Sequence, residues 1–156
     1  MSSSELRYLI AANELAEQMP IVKQTDIANK LQVTKVSAYN AVERLREKGL
    51  IEKSGRKIEL TERGKEVLSE YMIIIRFIAA HLSLHCGTPK KQAYNDALNA
   101  TCAFSGETRN GVANFIKSQA GSRAELSGTA FAGANFAGSA FAGVSEGQGN
   151  DRQRII

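Results

Sequence analysis

Between Thr34 and Lys57 the sequence sets out side chains suited to a nucleic acid. When Val36, Ala38, Val42 and Leu45 form an apolar stripe, the outward residues are Lys35, Ser37, Tyr39, Asn40 and Arg44. Hydroxyl, amide and guanidinium groups can read base edges, and cations can neutralise phosphates. A second group, Lys53, Arg56 and Lys57, surrounds Ser54-Gly55 and suits backbone phosphates or a minor groove. Residues 23–57 hold nine Lys/Arg against four Asp/Glu, whereas the whole chain carries a net charge of only +4. The basic excess therefore lies in one window, as an electrostatic footprint would. Thr34 can cap the helix that carries the first group.

A second set of side chains could bind metal or act as thiols. His81 and His85 are four apart and share one face of a helix. Cys86 follows directly, and Cys102 lies further on. Two imidazoles and a thiolate could hold zinc or iron. Against this, the chain has no other His, no carboxylate lies close to the pair, and Gly87-Thr88-Pro89 breaks the helix. The expectation is no metal site, with surface or interface His and a small buried Cys. Pairing of the two thiols in a redox sensor is the alternative. No cofactor is expected. The chain has no Ser/His/Asp arrangement, no Cys/His pair with an orienting group, and no phosphate-cradling loop. Gly133-Ala134-Asn135-Phe136-Ala137-Gly138 opens no helix after a strand. An enzyme is not expected.

The elements that must position these residues follow from periodicity. Leu6, Leu9, Ile10 and Leu15 predict a helix over 5–18, ended by Pro20. Residues 25–31 predict a short helix capped by Thr25, and 34–48 a longer one closed by Gly49 in a left-handed cap. Residues 50–53 and 57–60 alternate with period two about Ser54-Gly55-Arg56 and predict a hairpin. Thr61-Glu62 opens a further helix, and 89–104 and 107–117 predict two more. Helix, short helix, turn, longer helix, hairpin, helix is the winged helix-turn-helix order. The expected fold is mainly α. It has a winged helix-turn-helix domain over 1–70, a helical dimerisation region over 71–118 and a low-complexity tail over 119–156.

Residues 71–84 are apolar around most of a helix, with Met72, Ile73, Ile75, Phe77 and Ile78 as candidate dimer contacts. The apolar run is shorter than the roughly 20 residues a membrane span needs. With no signal peptide in the opening residues, the expectation is a cytoplasmic protein without membrane contact. The partners expected are double-stranded DNA and a second copy of the chain. A winged helix that binds a protein instead of an operator is the alternative.

The stretches TDIANKLQVTKVSAYNAVERLREKGLIEK, IELTERGKEVL and AYNDALNATCAFS resemble the metal-dependent repressors of the diphtheria toxin repressor and manganese transport regulator type. The resemblance runs from about Leu6 to Lys117. It implies a homodimer that represses by binding a palindrome, with a divalent metal favouring the bound state. It also implies metal ligands at positions held here by Arg7, Ile10, Ile75, Leu98, Thr101 and Cys102. Of these only Cys102 ligates a borderline metal well. Arg7 sets a positive charge where a cation would sit. The expectation is a regulator that has lost the family's metal switch.

Seven of the 13 Gly lie beyond residue 117. Residues 124–143 repeat every five residues, with Leu126, Phe131, Phe136 and Phe141 central to each unit, and resemble pentapeptide repeats. Four units make one coil, too little to bury its own faces. A flexible tail is expected, with a protein partner as the alternative.

Overall fold

The structure, a computed structural model, describes residues 1–126. Residues 119–126, expected to open the tail and to include the start of the first pentapeptide-like unit, instead close the last described helix, and the units beyond Leu126 lie outside the described residues.

Helix α1 (Ser3–Gln18) starts at a reciprocal cap. The Ser2 hydroxyl accepts from Glu5 N–H at 3.2 Å, and the Glu5 carboxylate accepts from Ser2 N–H at 3.0 Å. Helix α2 (Gln24–Leu31) is capped differently from the expectation. Thr25 lies inside the helix, and Asp26 accepts from Lys23 N–H at 2.8 Å. Gln32, at φ 54°, makes the left-handed turn into α3 (Lys35–Glu47). Thr34 caps α3, as the sequence indicated, accepting from Ser37 N–H at 3.1 Å. Gly49, at φ +68°, follows the end of α3 in the expected left-handed conformation.

Strands β1 (Ile51–Ser54) and β2 (Lys57–Leu60) pair antiparallel, with Ile51 opposite Leu60 and Lys53 opposite Ile58. Ile58 N–H also bonds Val22 C=O at 2.8 Å, which fastens the hairpin to the α1–α2 connection. Thr61 then anchors α4 (Glu62–His85). Its hydroxyl accepts from Gly64 N–H at 2.9 Å and donates to Gly49 C=O at 2.7 Å. One core joins these elements, with Leu9, Ile27, Leu45, Ile51 and Ile58 at most 2% exposed.

Helix α4 is continuous over 24 residues, so the expected boundary at 70/71 falls inside it. Helices α5 (Lys90–Ala103) and α6 (Gly106–Leu126) both pack against α4, with α6 beside its first half. Arg109 of α6 stacks 4.8 Å over the Tyr71 ring, bonds Phe104 C=O at 2.8 Å and sits 3.5 Å from the Glu70 carboxylate. Two expectations change here. Ile75 is fully buried within the single chain, together with Ile74, so it has no surface to offer a second copy. Cys86 follows α4, while Cys102 lies twelve residues into α5, about 18 Å along that helix. A disulfide needs Cα atoms within about 7 Å, so the two thiols of one chain do not pair.

Gly64 lies where α4 leaves the hairpin, and a Cβ there would run into the Leu50 carbonyl oxygen. Gly111 of α6 has open space at the same test. Gly64→Ala is therefore expected to cost about 1–3 kcal/mol in denaturant unfolding. Gly111→Ala should be neutral or stabilise by up to about 1 kcal/mol. Equal effects at the two positions would contradict this packing.

Candidate nucleic-acid interface

Helix α3 buries Ala38, Ala41, Val42 and Leu45, none more than trace-exposed. At 3.6 residues per turn the opposite side carries Val36, Asn40 and Glu47. Val36 therefore stands outward, 68% exposed, and is not part of the stripe the sequence suggested; Ala41 fills that role. Asn40 is exposed one turn further along, and its amide has no partner among the described residues. Lys35 is exposed and forms no ion pair among the described residues. Tyr39 is 49% exposed.

The remaining side chains of the first group are engaged within the chain. The Thr34 hydroxyl caps α3 and lies 2.9 Å from the Ser37 hydroxyl. Arg44 turns away from the outward side, its Nε 3.6 Å from Glu5. Glu5 is only 5% exposed, and Lys48 donates to both of its oxygens at 2.8 and 2.7 Å. The Lys48 bond holds the Glu5 carboxyl below its ordinary pKa, against burial, which pushes it up; the Ser2 backbone bond adds to the lowering. The outward side of α3 thus has two halves. Its N-terminal half is neutral to basic and uncommitted. Its C-terminal half carries Glu43 and Glu47, with Glu43 bridging Arg46 at 2.6 Å and Lys53 at 3.7 Å.

In the hairpin, Lys53 lies 5.4 Å from the Tyr39 ring centroid, which ties β1 to α3. Lys57 pairs with Glu59 at 2.7 Å. Arg56 is exposed at the tip with no carboxylate partner among the described residues. The free cations of the predicted set are therefore Lys35 and Arg56. The positive end of the α3 dipole faces the same side as Lys35.

No family model matches the sequence, and no curated protein matches it. Solved structures do share the fold. A hypothetical protein from Sulfolobus solfataricus is 22% identical, covering 76% of this chain and 91% of its own, at a TM-score of 0.61. The manganese regulator SloR is 21% identical over 72% of this chain at 0.61, and the metal-dependent transcriptional regulator MtsR 18% identical over 75% at 0.63. The fold is a winged helix-turn-helix with a helical extension. This chain matches about half the length of SloR and MtsR, 53% and 55% of those chains.

The positions at which the resemblance implies metal ligands meet between α1, α4 and α5. Ile75, Leu98 and Thr101 are buried there, and the Thr101 hydroxyl donates to Ala97 C=O at 2.7 Å. Arg7 Nη2 donates to Asn95 Oδ1 at 3.1 Å. Cys102 is half-buried, and burial pushes its thiol pKa up, which disfavours the thiolate a metal would need. An apolar cluster with a fixed guanidinium does not fit a divalent ion. Among the described residues, no three His, Cys, Asp or Glu come together as a metal-binding group.

Because the folded Glu5 carboxyl titrates below its ordinary value, its stabilising contribution is complete above that value. It is lost as pH falls through the lowered one. Glu5→Gln is expected to cost about 1–3 kcal/mol at neutral pH. The gap to wild type should close in acid, read as urea midpoints across a pH series. A gap independent of pH would contradict the Glu5–Lys48 assignment.

Proposed function

We propose that this protein is a dimeric, sequence-specific DNA-binding transcription regulator, of repressor type, that works without a divalent metal at the position the resemblance implies. The reading rests chiefly on one observation. The N-terminal half of α3 presents Lys35, Val36 and Asn40 outward and uncommitted, with the Tyr39 ring beside them under Lys53, while in the C-terminal half Glu43 is taken up by Arg46 and Lys53. A helix whose free side chains lie at that end enters a major groove by its N-terminal end. Val36 supplies methyl groups for a thymine methyl, and Asn40 an amide for adenine. Arg56 at the hairpin tip takes a backbone phosphate. Arg44 is half-exposed with its Nε 3.6 Å from Glu5, and that carboxylate offsets part of its charge toward a phosphate. The resemblance to SloR and MtsR in fold agrees with this use of the helix.

The metal-free reading rests on Arg7. Its bond to Asn95 links the first helix to the extension directly, where the resemblance would call for a bridging ion. The dimer reading rests on α4. It is the one described helix long and apolar enough to cross a membrane, yet only 22% of the residues in its most apolar 18-residue window are buried, and Met72, Ile73, Phe77 and Ile78 are half-buried. Arg76 sits near its centre and would be costly in lipid. A second copy of the chain covers this surface through Met72, Ile73, Phe77 and Ile78, and two α3 helices then read a palindrome.

Lys35→Ala and Arg56→Ala should each flatten the slope of log K against log salt on a random duplex by about one unit, with Arg44→Ala changing it less. Phe77→Glu should convert a sedimenting dimer to monomer and weaken duplex binding with it. A wild-type protein with no duplex affinity at low salt would overturn the DNA reading in favour of a protein-interaction module. Unchanged slopes in both variants would remove α3 and the hairpin from the interface.

A further inference from the structure

The last two turns of α4 carry a pair of imidazoles that the DNA reading does not use. His81 and His85 are both exposed, with ring centroids 5.3 Å apart at 46°. His81 also packs on Phe77, centroid to centroid 4.2 Å. Its Nδ1 lies 2.9 Å from the Phe77 carbonyl oxygen. A carbonyl only accepts, so in the neutral ring a bond from Nδ1 to it leaves the lone pair on Nε2. Orientation of one imidazole nitrogen by a backbone carbonyl is how metal-binding His are usually held. The site also lies at the C-terminal end of a 24-residue helix, where the helix dipole attracts a cation. Neither imidazole is paired with a carboxylate among the described residues.

We propose that His81 and His85 form a two-nitrogen chelate for a borderline divalent transition metal, Zn2+ foremost, at the end of α4. Imidazole nitrogen favours such ions over Mg2+ or Ca2+, which take oxygen. The site is separate from the cluster around Arg7, Ile75 and Leu98, and it stands or falls independently of DNA binding. Two protein ligands leave the remaining positions to water. Cys86 is exposed at the end of the same helix but is not required, because the pair alone supplies the chelate.

The test is calorimetric titration of the full chain with Zn2+ alone, beside His81→Ala, His85→Ala and Cys86→Ser. All three side chains are exposed, so circular dichroism should show an unchanged fold. Saturable binding of Zn2+ is expected, weakened at least about tenfold by either His substitution and retained in Cys86→Ser. The His81 Nε2 resonance, and not Nδ1, should move on Zn2+ addition. The proposal is overturned if the doubly substituted His81→Ala, His85→Ala chain binds as wild type does. It is equally overturned if wild type shows no saturable binding, or if Cys86→Ser alone abolishes it.

Discussion

Glu5 is a buried carboxylate in the first turn of α1, and Lys48 at the end of α3 donates to both of its oxygens. Arg44 stands beside it. A buried carboxylate is costly unless its oxygens are satisfied, so α3 must end where Lys48 can reach. That requirement fixes α3 along its axis and in rotation. Ala38, Ala41, Val42 and Leu45 then face the core, and Val36 and Asn40 face away from it. The hairpin follows from the same placement. Gly49 turns the chain directly after α3, and Lys53 returns over Tyr39. The outward set on α3 and the tip cation Arg56 thus keep a constant relation to one another.

The extension is fastened to this unit at two levels. Thr61 bonds both Gly49 and Gly64, so α4 begins as a direct continuation of the hairpin. Further along, α1 and α5 meet at the Arg7–Asn95 bond. A guanidinium–amide bond is formed whenever the chain is folded, whereas an ion bridge is formed only when the ion is available. On the proposed reading, this difference separates the present chain from a metal-switched regulator. The two imidazoles at the end of α4 then belong to a different surface and serve a different purpose.

Much of the fold was legible because it is locally encoded. Thr34, Gly49 and Thr61 mark helix ends through their own chemistry, and the period-two runs about Ser54-Gly55 mark the hairpin. What was not legible depends on partners distant in sequence. Arg44 resembles any exposed cation until Glu5, 39 positions earlier, is brought beside it. Val36 reads as core by the type of its side chain alone. Its spacing of two from Ala38 already places it on another side of a helix. In the run Met72–Ile78 every position is apolar apart from Arg76, so no period distinguishes Ile75, which is buried, from Ile73, which is not. Thr25 is a good cap by type, yet α2 starts one residue earlier because Asp26 accepts from Lys23 N–H.

The most direct test is selection of fragmented genomic DNA on the purified full chain in EDTA, followed by sequencing of what is retained. The proposed reading expects one shared palindrome, with half-sites about one helical turn apart, recovered with no divalent metal present. Enrichment that appears only after Mn2+ or Fe2+ is added would contradict the metal-free reading of Arg7 and Asn95. No enrichment under either condition would contradict the assignment of α3 as a recognition helix.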